Sequence, residues 1–181
     1  EHAPCGLDDL RADAARLIAD ARYAEFLSSA RESQDGRDIV TTLRNYMKEH
    51  PDAPHRNRLR AMLAEGYYAC GDYFAMAEEM KGIDIEALPG DELERLVVTY
   101  GMALTELGGL DDARVQLLTA QLMNGRYKDE ATFALAWVDY AERRYDEAVD
   151  GFCAVEEVPS LRPAALFYKA EAALEQGNYA V

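Results

Sequence analysis

The sequence predicts an all-α fold, an α-solenoid of antiparallel helix hairpins with no β-sheet, and three observations predict it. A phrase recurs as Gly71-Asp72-Tyr73, Gly108-Gly109-Leu110, Arg143-Arg144-Tyr145 and Gly177-Asn178-Tyr179. Its last residue returns after 37, 35 and 34 residues, from Tyr73 to Leu110 to Tyr145 to Tyr179. A period of that length marks stacked helical hairpins, each unable to bury its apolar face alone. Small residues also stand seven positions before each copy, at Ala64, Gly101, Ala136 and Ala170. Finally, Ala, Leu, Glu, Asp and Arg dominate, which suits helices, and long runs of Val, Ile and Thr that would suggest strands are missing.

The chain opens with a helical pair over 1–54, read as a cap or a divergent first repeat. Leu7, Leu10, Ala14, Leu17, Ile18 and Ala21 fall on one helical face, with Asp8 and Asp9 near its start. Gln34-Asp35-Gly36 is expected to break the chain, and a second helix to run from about Asp38 to Glu49 until Pro51 stops it. Repeats then follow over about 55–88, 91–125, 126–159 and an incomplete 160–181, together one continuous solenoid over 55–181. In each, the small residue lets the second helix cross the first closely. The glycine of the phrase ends the first helix by adopting positive φ without steric cost. The aromatic or leucine after it wedges between the two helices. Met76, Met80 and Ile83, then Ala113, Leu117 and Ala120, then Ala148, Phe152 and Val155, are spaced four and three apart on the inner face of the second helix. The stretch from Gly82 to Gly90 lengthens one loop and accounts for the widest interval. A helix restarts at Asp91, with Glu94 three residues on to complete a capping box.

These positions resemble the tetratricopeptide repeat (TPR) family, matched at Ala136, Tyr145, Ala148 and Phe152 and at Gly101, Gly108, Ala113, Leu117 and Ala120, from about residue 55 to the end. Departures stand at Arg143 for the turn glycine, Met76 for an alanine, Leu110 for the aromatic and Lys169 for an apolar residue. The resemblance implies a right-handed superhelix whose concave groove is lined by the first helix of each repeat. The groove-facing positions it implies are Arg58, Ala61, Glu65 and Tyr68; Arg95, Val98, Met102 and Thr105; Glu130, Phe133, Trp137 and Tyr140; and Ala164, Phe167, Glu171 and Leu174. Phe133, Trp137 and Tyr140 are neighbours on one helical face, and serve either as anchors for a partner or as packing inside the superhelix. Chaperone-type members clamp a partner's terminal carboxylate with Lys, Asn and Arg on this groove. The matching positions here carry Ala61, Glu65, Val98, Met102, Phe133 and Trp137, so that clamp is absent.

A narrower likeness runs through Leu43-Arg44-Asn45-Tyr46-Met47-Lys48-Glu49-His50-Pro51-Asp52-Ala53-Pro54, Ala131 to Val155 and Pro163 to Ala170. It is similar to the N-terminal part of large multi-repeat TPR proteins of the Gram-negative cell envelope. It implies the periplasm or an outer-membrane-associated position, with the cytoplasm as the alternative.

Other classes find little support. The 181 residues carry 34 acidic and 19 basic side chains, a formal net charge of −15. That balance opposes nucleic acid, whose phosphates call for an excess of Lys and Arg, and opposes an anionic membrane face. No stretch approaches the ~20 apolar residues of a membrane span, so no direct membrane insertion is expected. Cys5, Cys70 and Cys153 are too scattered for a disulfide framework or a zinc site, and Cys70 and Cys153 are expected to be small buried hydrophobes. His50, Asp52 and His55 flank Pro51, but two intervening prolines make a ligand set awkward. No phosphate loop, serine elbow or His-Glu-x-x-His pair is present. The expectation is no catalytic residue, no metal and no cofactor. What remains is a non-enzymatic scaffold that binds a peptide or helical protein partner. The alternatives are a structural module that self-associates through an open C-terminal hairpin, and a regulatory module for a small ligand. The sequence stops at Val181, just as another second helix is due, and a solenoid normally closes with a polar-faced helix, so a fragment of a longer chain is expected.

Overall fold

The computed structural model describes residues 14, 17, 18, 21, 33–51 and 56–177. Among the described residues of 33–177 there are eight α-helices, one 3₁₀ turn and no strand. The chain divides into two compact units, one ending at Ala87 and the other beginning at Leu88.

In the first unit, Ala14, Leu17, Ile18 and Ala21 are helical, as their spacing predicts, and exposed; Leu7 and Leu10 lie outside the described residues, as do Cys5, Asp52 and His55. Helix α1 (Ser33–Glu49) turns Ile39, Leu43, Tyr46 and Met47 inward, four and three residues apart as one helical face requires. They pack against Leu59, Met62 and Leu63 of α2 (Arg56–Ala69). The break expected at Gln34-Asp35-Gly36 is not there: these residues form the first turn of α1. Gly lowers helix propensity by about 1 kcal/mol, a cost that tertiary packing readily outweighs, and Gly36 is buried. The predicted stop at Pro51 holds, since α1 ends at Glu49. Helix α3 (Tyr73–Met80) follows, its first turn capped by Asp72, whose Oδ1 accepts the Ala75 N–H at 3.1 Å. The long loop then makes a 3₁₀ turn at Ile85–Ala87. Asn57 fastens the loop to α2 by donating to the Asp84 carbonyl and accepting the Asp84 N–H, both at 2.7 Å.

The second unit contains α4 (Gly90–Glu106), α5 (Leu110–Met123), α6 (Lys128–Ala141), α7 (Tyr145–Ala154) and α8 (Arg162–Glu175). Each packs on the next, and α4 also touches α6, and α6 touches α8, so the first helices form one layer on which the second helices pack. The close crossings that the small residues predict are present at Gly101 and Ala136, and Ala64 is buried, but Ala170 is exposed. A Cβ on Gly101 would lie 2.5 Å from Leu117 Cγ, and one on Gly151 would lie 2.7 Å from the Ala136 Cβ. Ala113, Leu117, Ala120, Ala148, Phe152 and Val155 are all buried, as is Met76 in the first unit.

The repeated phrase is one turn used four times. Gly71, Gly108, Arg143 and Gly177 have φ of 73°, 77°, 62° and 77°. At the first three, the positive-φ N–H donates to the carbonyl three residues back, and the following N–H donates five residues back: Asp72 to Tyr67, Gly109 to Leu104 and Arg144 to Asp139, each at 2.9 Å. This Schellman pairing satisfies carbonyls that the helix end leaves open.

The predicted capping box at Asp91 does not form. Helix α4 begins at Gly90 after Pro89, with no side-chain cap. Glu94 is buried and serves a different helix: its Oε1 accepts the backbone N–H of Tyr127, the N-cap residue of α6, at 3.0 Å. Gly125 leaves room for it, since a Cβ there would sit 2.3 Å from Glu94 Oε2. A carboxylate at a helix N-terminus also meets the favourable end of the helix dipole.

Candidate functional site

The first helices of the second unit carry the side chains expected to line a groove. Helix α6 contributes Phe133, Trp137 and Tyr140, which lie on one face because they are four and three residues apart. Helix α8 completes the group with Tyr168, a residue outside the predicted set. Its ring centroid lies 6.1 Å from Phe133, 6.2 Å from Trp137, 6.3 Å from Tyr140, 5.8 Å from Phe152 and 5.2 Å from Phe167. All five separations fall in the range of favourable aromatic pairing, and the Phe152 pair is stacked.

Burial sorts this aromatic layer into a floor and a rim. Phe133 is buried against Phe152 at 5.4 Å and belongs to the hydrophobic core, with Ala136, Ala148, Val155, Ala165 and Ala172. Trp137 and Tyr140 are half-buried, and Phe167 is 57% exposed. Tyr140 also meets the wedge aromatic of its own turn, Tyr145, at 5.7 Å. Tyr68 and Tyr73 repeat that contact at 5.6 Å in the first unit, so two copies of the repeat share the pairing.

The rim is acidic. Burial raises the Tyr140 phenol above its usual value, and the carboxylates of Glu171 and Glu175 push it further the same way. Glu130 and Glu171 are half-buried at the start and middle of their helices. The surface around Trp137 and Tyr140 therefore combines π faces with negative charge.

The remaining predicted residues divide in the same manner. Val98 is buried with Val97, Leu117 and Val138, and Met102 is half-buried against that cluster. Thr105 is buried, and its hydroxyl donates to the Gly101 carbonyl at 2.9 Å. Arg95 is half-buried, Ala164 packs at the edge of the aromatic core and Leu174 is 51% exposed. In the first unit, Arg58 is exposed, Tyr68 half-buried, and Ala61 and Glu65 buried. Glu65, Val98 and Phe133, expected on an open groove, thus contribute to packing, because a first helix also turns part of that face toward its neighbours.

Charge is organised on the other side of α6. Arg114 of α5 donates to Asp139 at 2.6 Å and to Glu142 at 2.8 Å, and Arg144 pairs with the same two carboxylates. Burial raises the Asp139 carboxyl above its usual value, with Arg114 pulling the other way. Lys169, the charged departure from an apolar position, is explained by its ion pair with Glu156 at 2.7 Å. Neither described cysteine is buried as expected. Cys70 is half-buried just past the end of α2, where desolvation raises its thiol. Cys153 is exposed, since the residue after buried Phe152 is rotated by about 100° around the helix. Among the described residues, no group of three or more His, Cys, Asp and Glu is placed to hold a metal ion. No helix among them is long and apolar enough to cross a membrane.

No protein-family model and no curated protein matches the sequence. Among solved structures, the chain is similar to a Podosopora anserina protein described as a kinesin light chain with nearly identical TPR-like repeats. The TM-score is 0.65 at 18% sequence identity, over 93% of this chain and 88% of that one. The fold is therefore a TPR-like α-solenoid.

Proposed function

We propose that the protein is a non-enzymatic interaction scaffold, and that the layer of α4, α6 and α8 docks a peptide or helical segment of a protein partner. The observation that carries this reading is the aromatic layer of Trp137, Tyr140, Tyr168 and Phe167, buried at its floor and open at its rim. Rigid aromatics present a large contact area at low entropic cost, and Trp and Tyr are over-represented among residues that dominate binding energy. With Glu171 and Glu175 beside Tyr140, the rim favours a segment bearing Lys or Arg, whose cation gains from both the carboxylates and the ring faces. TPR-like folds commonly mediate protein–protein contacts, which agrees with this site without naming its partner.

The test is capture of partners from cell extract, followed by competition with the captured partner's own peptides, using wild-type protein and the Trp137→Ala variant. The expected result is a partner whose binding weakens by more than about 2 kcal/mol on that change, while the helical circular-dichroism signal is retained. A partner held equally well by the variant removes the aromatic layer from the site. The envelope location rests on the likeness of the segment around Leu43 to Pro54, and fractionation of cells into periplasm, membranes and cytoplasm decides it.

A second reading, self-association, is favoured by apolar side chains left at the surface. Leu166, Phe167 and Leu174 are exposed on α8, and Val115, Leu118 and Leu122 are exposed on α5. Sedimentation equilibrium separates the two readings. A mass that rises with concentration, and falls back on Phe167→Ser, moves the assignment to a self-assembling module.

A further inference from the structure

Cations are scarce in this chain, 19 against 34 acidic residues, yet four of them line one cavity. It lies in the first unit and has a volume of about 600 Å³. Arg44 and Lys48 of α1 stand four residues apart on one side, and Arg56 and Arg60 of α2 stand four apart on the other. Met47 and Leu63, both buried, form an apolar floor, and Tyr67, Asn45 and Thr41 add neutral donors.

Like charges four residues apart on a helix cost a few tenths of a kcal/mol, and here two such pairs face one cavity. One carboxylate, Glu79, lines it, and Glu79 is engaged by the Arg60 Nε at 2.6 Å. The two arginines of α2 are held in place by the fold. Arg56 Nη1 donates to the Met47 carbonyl at 3.2 Å and the Pro51 carbonyl at 3.0 Å, and Arg60 Nη1 donates to the Gly82 carbonyl. Carbonyls orient a guanidinium but do not neutralise it. Arg44 and Lys48 are exposed at the rim. Burial raises the Tyr67 phenol, and of the charges that act on it Arg44 opposes that rise while Glu79 and Asp72 add to it, so the guanidinium's field reaches the cavity wall.

We propose that this cavity is a binding site for a small multivalent anion, of the phosphate-ester or polycarboxylate type. Its volume lies within the roughly 300–1,000 Å³ typical of small-molecule sites. Its donors are mostly Arg, whose planar fork suits phosphate and carboxylate oxygens. The overall charge of −15 does not prevent this. At physiological ionic strength a charge beyond about 8 Å is largely screened, so the local balance is what matters, and the lining holds four cations against Glu79, which is paired with Arg60. On α2 the cavity occupies a different face from the expected groove positions. Its α2 residues Arg56, Arg60, Leu63 and Tyr67 lie roughly 150° around the helix from Arg58, Ala61, Glu65 and Tyr68.

The experiment is a titration of the full chain with inorganic pyrophosphate and, separately, with citrate, followed by amide shifts in NMR spectra and by calorimetry. Saturable binding with shifts confined to α1, α2 and Glu79 is the expected result. It should weaken as salt is raised, and by about tenfold or more in Arg44→Ser/Lys48→Ser. Saturation by pyrophosphate alone identifies phosphate as the recognised group; saturation by citrate alone identifies the carboxylate. If the double variant loses its helical signal, the exposed Lys48→Ser alone carries the comparison. Three results overturn the proposal: no saturation by either anion at millimolar concentration, saturation unchanged in the variant, or saturation only by an oligoglutamate peptide, which makes the cavity an acidic-peptide site.

Discussion

Arg143 adopts, at φ 62°, the backbone conformation that Gly71, Gly108 and Gly177 adopt in the other copies of the turn. A side chain with a Cβ is disfavoured there by about 1–2 kcal/mol, while glycine carries more entropy in the unfolded chain. The steric gain exceeds the entropic loss, so Arg143→Gly should stabilise the protein by about 1 kcal/mol and raise its melting temperature by about 2–4 °C. A thermal melt that falls would mean that the arginine side chain makes up for its backbone. Asp139 offers a second residue-level test, with a sign opposite to that of most carboxylates. Burial raises its folded pKa above the usual value of 3.8, against the pull of Arg114. Its contribution to stability is therefore full below the unfolded pKa and is lost as pH rises through the folded pKa. A carboxyl-carbon NMR titration should place Asp139 above 3.8, and Arg114→Met should move it higher still. A midpoint below 3.8 would show that the two arginines outweigh desolvation.

At the scale of elements, the helix crossings are the most constrained feature. Gly101 admits Leu117 at a distance no Cβ tolerates. Gly101→Val should cost about 1–3 kcal/mol by overpacking, read as a lower midpoint in urea; an unchanged midpoint would mean that α4 and α5 slide apart freely. These crossings, the turns and the inner faces of the second helices were legible in the sequence because each is a local requirement, written at fixed spacing in small, positive-φ and apolar residues. The features that escaped are those whose partner is distant along the chain. Glu94 resembles half of a capping box at Asp91, yet its hydrogen bond is to Tyr127, 33 residues away. Tyr168 organises the aromatic layer, but the face assigned to α8 passed through Phe167 and Glu171 and left it one residue aside. Arg114 reaches Asp139 and Glu142 across 25 and 28 residues, and helical spacing gives no sign of that. Of the candidate site, periodicity placed Phe133, Trp137 and Tyr140 on one face of α6, but the division into buried Phe133 and half-open Trp137 and Tyr140 depends on which neighbours arrive.

On the scale of the whole molecule, an acidic chain concentrates its few cations in two ways. Arg114 and Arg144 are neutralised against Asp139 and Glu142, whereas Arg44, Lys48, Arg56 and Arg60 share a cavity with one carboxylate. The first arrangement serves structure, and the second leaves positive charge available to a ligand. The clasp from Glu94 to the head of α6 has a mechanical consequence. It joins the hairpin of α4 and α5 to the hairpin of α6 and α7 by a bond that neither hairpin contains. When the chain is stretched from its ends, those hairpins should yield together, in one event that frees about 65 residues, roughly 20 nm of contour length. Glu94→Ala should split that event into two smaller ones at lower force. Two events already present in the unmodified protein would show that the hairpins carry load separately.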